Sequence, residues 1–90
     1  MPMYLIERRF AEELDVDEAA AAEINLINDD EGARWLYSFL SADKRKTYCL
    51  YEAPSIDVVR RAAERAGLPA DVVIELSGQV DPSGHLTEFV

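Results

Sequence analysis

Cysteine and histidine are almost absent from this 90-residue sequence, which has one of each, Cys49 and His85. A single cysteine excludes a framework of internal disulfides and a zinc site built on cysteines. A single histidine excludes, within one chain, a metal site that uses several imidazoles. Cys49 lies in the middle of a predicted strand with no basic neighbour beside it, so we expect a buried and unreactive thiol.

Positive charge is also scarce, because nine Lys and Arg residues stand against 18 Asp and Glu residues, for a net charge of −9. Nucleic acids and anionic membranes attract clustered positive charge, so neither is an expected partner. No apolar run approaches the roughly 18 residues of a membrane span, and the N-terminus has no signal-peptide pattern. We therefore expect a cytoplasmic protein. Phosphate-binding loops, dinucleotide-binding glycine patterns and nucleophile elbows are absent too.

The length of the chain allows one domain, with 49% hydrophobic residues to build its core. A domain of this size buries only roughly 60–65% of the surface that its unfolded chain exposes. A second subunit that covered more apolar surface would therefore stabilise it.

Apolar patterning and cap signals divide the chain into six main elements. Asp15 is the predicted N-cap of the first helix, with Glu18 three residues later in the spacing of a capping box. In chain order we predict a strand beginning with the apolar run 3–6, a helix from Asp15 to about Asn28, strands at 33–41 and 46–53, a helix from Ser55 to Gly67, and a strand at 72–76.

The resulting order, β-α-β-β-α-β, predicts an α+β ferredoxin-like fold. Its four-stranded antiparallel sheet would carry both helices on one face, with the first and third strands in the centre. Residues 1–76 would form this single domain, and residues 77–90 a C-terminal tail or arm.

Both faces of the predicted sheet are apolar. Strict alternation puts Trp35, Tyr37 and Phe39 on one face of the sheet. In the next predicted strand, the neighbours Leu50 and Tyr51 lie on opposite faces, so each face has apolar or aromatic residues. A bare aromatic face is rare on soluble monomers. We therefore expect a homodimer in which a second copy covers that face, and the alternative is a monomer that uses the open face as a ligand groove.

Glu7 is the first acid to consider for a binding site, because it lies in an otherwise apolar strand that should be central. A buried carboxylate needs a partner, which an arginine could provide. Alternatively Glu7 belongs to a site for a small-molecule ligand, which we expect to be lined by Glu7, Trp35, Tyr37 and Tyr51. For a metal, the candidate ligands are Glu7 and His85, which lies in the tail.

Several strings together resemble a family of small bacterial ferredoxin-like proteins of unknown function that includes the nickel-responsive, nickel-binding proteins of actinomycetes. The most specific are Thr47 to Ser55 and the segment Arg-Ala-Gly-Leu-Pro-Ala at 65–70, supported by 4–8 and 34–38. The resemblance implies a homodimer and, for one branch, Ni²⁺ bound by histidines and carboxylates. That branch is histidine-rich on its strands, whereas this chain has Glu7, Arg34 and Tyr37 at the strand positions. Nickel favours imidazole ligands.

The first functional hypothesis is a small homodimeric protein that binds a ligand or a metal, with nickel as the candidate metal. The alternative is a cofactor-free dimeric ferredoxin-like enzyme, of the monooxygenase or isomerase type, in which Glu7 or a tyrosine transfers a proton. The third hypothesis is a purely structural or interaction module. An enzyme would require a closed cavity that holds an ionisable group with a perturbed pKa.

Overall fold

The computed structural model describes residues 1–89, which form six strands and two helices. They are β1 (Met3–Arg9), α1 (Glu18–Glu31), β2 (Arg34–Leu40), β3 (Lys46–Glu52), α2 (Ile56–Ala66), β4 (Val72–Leu76), β5 (Gly78–Val80) and β6 (Leu86–Glu88). The first six follow the predicted order β-α-β-β-α-β.

The main sheet has the order β2-β3-β1-β4, and every neighbouring pair is antiparallel. β1 and β3 are therefore central, as predicted. Both helices cover the same face: Asn28 of α1 is hydrogen-bonded to Tyr51, and Val59 of α2 joins the core cluster that contains Tyr4 and Ile6. The prediction of an α+β ferredoxin-like fold is confirmed.

The core lies between this helix-covered face and α2. Alternation along the central strands supplies Tyr4 and Ile6 from β1 and Cys49 and Tyr51 from β3, all at most 5% exposed. Ile6 and Cys49 are direct cross-strand partners, so one face of the central pair is continuously buried. The Cys49 thiol is buried and free, as expected.

A β-bulge in β2 corrects the predicted facing of the aromatic residues. The pairing register between β2 and β3 shifts between Trp35 and Tyr37, so Leu36 has no partner of its own. Trp35 pairs with Tyr51 and faces the helices, whereas Tyr37 and Phe39 face away from them. The prediction that all three share one face was wrong because one extra residue reverses the alternation.

The sheet face without helices is called the open face below. Its members follow from the registers of the four strands: the apolar and aromatic residues Met3, Leu5, Tyr37, Phe39, Tyr48, Leu50, Val72, Ile74 and Leu76, and the charged residues Glu7, Arg9, Arg34, Lys46 and Glu52. Tyr37 and Phe39 form an edge-to-face pair with ring centroids 5.4 Å apart, yet both are more than half exposed. Most of this face is apolar, as predicted.

The start of α1 also differs from the prediction. Asp17, and not Asp15, is the N-cap, and its carboxylate accepts a hydrogen bond of 2.8 Å from the Ala20 amide. The predicted capping box with Glu18 is absent because Glu18 is the first helical residue, one position after the cap. Asp15 and Asp17 are equally good N-cap residues by local sequence. The path of the preceding loop determines which of them caps the helix.

The helix α1 extends past the predicted end at Asn28 to Glu31, and Gly32 closes it in a left-handed conformation. Acids at a helix C-terminus oppose the helix dipole. Here α2 compensates, because Arg61 and Arg65 pair with Glu31, and Arg65 also pairs with Asp30 at 2.7 Å. These arginines lower the pKa of the Glu31 carboxyl. Neither helix in residues 1–89 is long and apolar enough to cross a membrane.

Residues 77–90 were predicted to form a tail or arm. Of these, residues 77–89 form a short hairpin of β5 and β6, and residue 90 lies outside the described residues. Asp81 organises its turn by accepting hydrogen bonds from the amides of Ser83 and His85. The hairpin is paired with itself and does not extend the main sheet.

The N-cap assignment predicts that Asp17→Ala lowers the free energy of unfolding by about 1 kcal/mol, because the Ala20 amide loses its acceptor. Asp15→Ala is the matched control and should change stability by less than about 0.5 kcal/mol. Urea denaturation followed by circular dichroism measures both. A larger loss for Asp15→Ala would contradict the assignment.

Candidate functional site

A cavity of about 370 Å³ lies between the helix-covered face of the sheet and α1. Its walls are largely apolar and aromatic. They comprise Phe10, Leu14, Val16, Ile24, Trp35, Leu40, Cys49, Tyr51 and Leu68. Its polar lining comprises Arg8, Asp15, Ser38, Lys44 and Thr47. Apolar walls with a few polar groups are typical of small-molecule sites.

The loop from residue 10 to residue 17 closes one side of this cavity. Two backbone hydrogen bonds tie it to the turn between β2 and β3: Phe10 donates to Arg45 at 2.8 Å, and Leu14 donates to Lys44 at 2.7 Å. The Arg45 side chain adds a third by donating to the Ala11 carbonyl. Hydrogen bonds between two loops therefore hold this wall of the cavity in place.

Arg8 is the only charged side chain among residues 1–89 that is buried, with 3% of its surface exposed. It faces the helices because it follows Tyr4 and Ile6 in the alternation of β1. Its Nη1 donates to the Pro69 carbonyl at 2.6 Å, and its guanidinium carbon lies 5.8 Å from the centre of the Tyr51 ring. Within the described chain it forms no ion pair.

Tyr51 forms the floor of the cavity beside Arg8. Its hydroxyl accepts a hydrogen bond of 3.3 Å from Nδ2 of Asn28, which is itself buried in α1. Burial raises the pKa of the Tyr51 phenol, while the hydrogen bond from Asn28 and the charge of Arg8 act in the opposite direction. Tyr51 therefore remains a protonated phenol at neutral pH, and it donates to no acceptor within residues 1–89.

Trp35 and Ser38 form the adjoining part of the cavity wall. The Trp35 indole Nε1 donates to the Ser38 hydroxyl at 2.9 Å, which fixes the orientation of the ring. Since an indole nitrogen can only donate, Ser38 acts as the acceptor. The proton of the Ser38 hydroxyl remains available for another partner.

The four residues predicted to line one ligand site lie on two faces of the sheet. Trp35 and Tyr51 meet at the cavity, whereas Glu7 and Tyr37 belong to the open face. Glu7 is half-buried, and Arg9 Nε donates to its carboxylate at 2.8 Å. This contact agrees with the hypothesis that an arginine pairs with the Glu7 carboxylate.

The predicted metal ligands do not form a cluster with other donors. No group of three or more His, Cys, Asp or Glu residues able to hold a metal ion occurs in residues 1–89. Glu7 is engaged by Arg9, and His85 lies exposed in the β5–β6 turn. The donors that residues 1–89 bring together therefore do not fit a nickel site.

Sequence reasoning missed two polar residues of the cavity, Arg8 and Ser38, and also Asn28, which is hydrogen-bonded to the cavity residue Tyr51. Arg8 could have been found, since it shares the alternation of two core residues. The bulge at Leu36 moved Ser38 to the helix-covered face, and the partner of Asn28 lies far away in sequence. Neither position has a local signal.

Comparison with known proteins points to one family. The family described as nickel responsive protein SCO4226-like matches the chain over residues 4–76. The crystal structure of SCO4226 from Streptomyces coelicolor A3(2) is similar with a TM-score of 0.71 and 26% sequence identity, over 82% of this chain and 94% of that one. No curated protein matches the sequence.

The contact between Tyr51 and Asn28 predicts the effect of removing one hydroxyl. Tyr51→Phe should lower the free energy of unfolding by about 1–3 kcal/mol, because the buried Asn28 amide loses its acceptor. Tyr37→Phe, on the open face, is the control, with a change below about 0.5 kcal/mol. Urea denaturation at pH 7 measures both, and equal effects would contradict the contact.

The same residue predicts a pH dependence. The pKa of Tyr51 is raised in the folded state, so the unfolded state loses this proton first as the pH rises above about 10. Stability is therefore lost with increasing pH in that range, and Tyr51→Phe should make the loss less steep. Thermal denaturation between pH 8 and 11 tests the slope.

For nickel, we expect no sub-micromolar binding at neutral pH. Isothermal titration calorimetry with NiCl₂ on untagged protein measures this directly. Tight binding in a fixed ratio to the chain would contradict the expectation, and Glu7→Gln and His85→Ala would then show which predicted ligand takes part.

Proposed function

The chain belongs to the SCO4226-like family of nickel-responsive proteins, and from this premise we propose a homodimeric cytoplasmic protein that binds a small organic molecule. The ligand occupies the cavity between the sheet and α1 in each subunit. A relation to nickel follows from the family's description, and it does not require a metal site within one chain.

The observation that carries the proposal is the composition of the cavity. Its volume of about 370 Å³ falls in the range of known ligand sites, which begins at about 300 Å³. Apolar side chains form most of the walls, while Arg8, Ser38 and Tyr51 supply polar groups on the sheet side.

The open face supports the homodimer. Phe39 is 62% exposed, and Tyr37 and Ile74 are each about half exposed. Aromatic residues at this density are typical of interface centres. A second copy is the proposed occupant because charge does not oppose it: the two acids on this face, Glu7 and Glu52, are each paired with an arginine. The net charge of −9 therefore resides elsewhere.

The dimer predicts a mass of about 20 kDa in solution, twice the 10.1 kDa of the chain, by size exclusion with light scattering at micromolar concentration. Phe39→Ala should raise the monomer fraction by weakening association by about 2 kcal/mol or more. Leu26→Ala is the control, because Leu26 is 69% exposed on α1, away from the open face. A 10 kDa monomer for the unmodified protein would contradict the dimer.

The cavity predicts saturable binding of an uncharged apolar probe, 4-phenylbutan-1-ol. Trp35 is the only tryptophan, so a change in its fluorescence reports occupancy of the cavity without background. Cys49→Leu fills the floor of the cavity and should weaken binding at least tenfold. Leu50→Met, the neighbouring residue on the open face, is the control. Equal binding by both variants would contradict the cavity as the site.

A further inference from the structure

We propose that the ligand is an anion with an apolar body, a small hydrophobic carboxylate, and that Arg8 binds its carboxylate. This inference rests on the proposed function and adds the chemical class of the ligand. Three features of the cavity carry it: an unbalanced buried charge, unused hydroxyl protons on the same surface, and apolar walls beyond them.

The buried charge is the first feature. Arg8 is 3% exposed in a chain with twice as many acids as bases, yet none of those acids pairs with it in residues 1–89. A buried charge is costly unless it is paired. The Pro69 carbonyl satisfies one of its five N–H donors, and the Tyr51 ring partly stabilises the cation. An anion in the cavity would complete the pairing.

The second feature is the direction of the neighbouring hydrogen bonds. Ser38 accepts from the Trp35 indole, and Tyr51 accepts from the Asn28 amide. Each hydroxyl therefore has a proton that no acceptor in residues 1–89 uses. The sheet side of the cavity therefore has three hydrogen-bond donors, the two hydroxyls and the Arg8 guanidinium, and no acceptor in the described chain that matches them. A carboxylate accepts several hydrogen bonds and donates none.

These donors lie close together because of the strand register. Cys49 is central: Ser38 is its direct partner in β2, Tyr51 is two residues along β3, and Arg8 is diagonally opposite in β1. Each of these three positions is about 5 to 8 Å from Cys49 in an antiparallel sheet, with Arg8 and Tyr51 on opposite sides of it along the strands. The Arg8 side chain shortens the distance further, since it reaches along the sheet to the Tyr51 ring.

The third feature is the rest of the cavity, which accommodates an apolar body. Leu14, Val16 and Ile24 face the donors from the loop and α1, and Trp35 provides an aromatic wall. Two further charges line the cavity, Asp15 and Lys44, and both are exposed and of opposite sign. Neither offsets the buried charge of Arg8.

The test compares three probes of the same shape: 4-phenylbutanoate, 4-phenylbutan-1-ol and 4-phenylbutan-1-amine. Isothermal titration calorimetry at pH 7 on the full chain should show the carboxylate binding at least tenfold tighter than the alcohol, and the amine weakest. Arg8→Met keeps the length of the side chain without its charge. It should abolish the preference and leave the affinity for the alcohol within about threefold.

Lys44→Met is the matched control, which removes the exposed cation and should keep the preference. If the carboxylate and alcohol bind equally to the unmodified protein, the inference about the anion fails and the proposed function stands. If no probe binds, the proposed function fails. If Lys44→Met loses the preference for the carboxylate over the alcohol and Arg8→Met keeps it, Arg8 does not bind the carboxylate. The comparison of probes on unmodified protein decides the inference even if Arg8→Met does not fold.

Discussion

The antiparallel pairing of β1 with β3 determines what each face of this protein can do. Because partners in the ladder share a face, Ile6 and Cys49 bring Tyr4, Arg8 and Tyr51 to the helix-covered side. The same register turns Glu7 to the open side, where it meets Arg9 and apolar neighbours. A slip of one residue would bury Glu7 under the helices and expose Arg8. The helix-covered face, with the cavity, and the open face, with its exposed aromatic residues, are thus two consequences of one register.

The fold was predictable because its signals are local and mutually consistent. Ser55 caps α2, Gly67 ends it, and the apolar runs give four strands in an order that matches one known arrangement. The positions of single residues depended on non-local contacts. The choice of Asp17 over Asp15 as the cap depends on how the loop lies against a distant turn, which no short-range pattern encodes.

The candidate site was less predictable than the fold for a related reason. One unpaired residue, Leu36, reverses the alternation of β2 and separates Trp35 from Tyr37. The bulge brings Trp35 to Tyr51 and turns Ser38 toward the cavity. Arg8 was visible in the alternation, but a basic residue near the end of a strand is usually solvent-exposed. Only the covering loop and helix show that it is buried.

We propose that the helix-covered face binds ligand while the open face does not. NMR spectroscopy of isotopically labelled protein, titrated with 4-phenylbutanoate, tests it most directly. We expect the indole N–H of Trp35 and the signals of Cys49 and Tyr51 to shift and saturate together, while Tyr37 and Phe39 remain unchanged. Shifts centred on Tyr37 and Phe39, or no saturable shift at Trp35, would contradict the account.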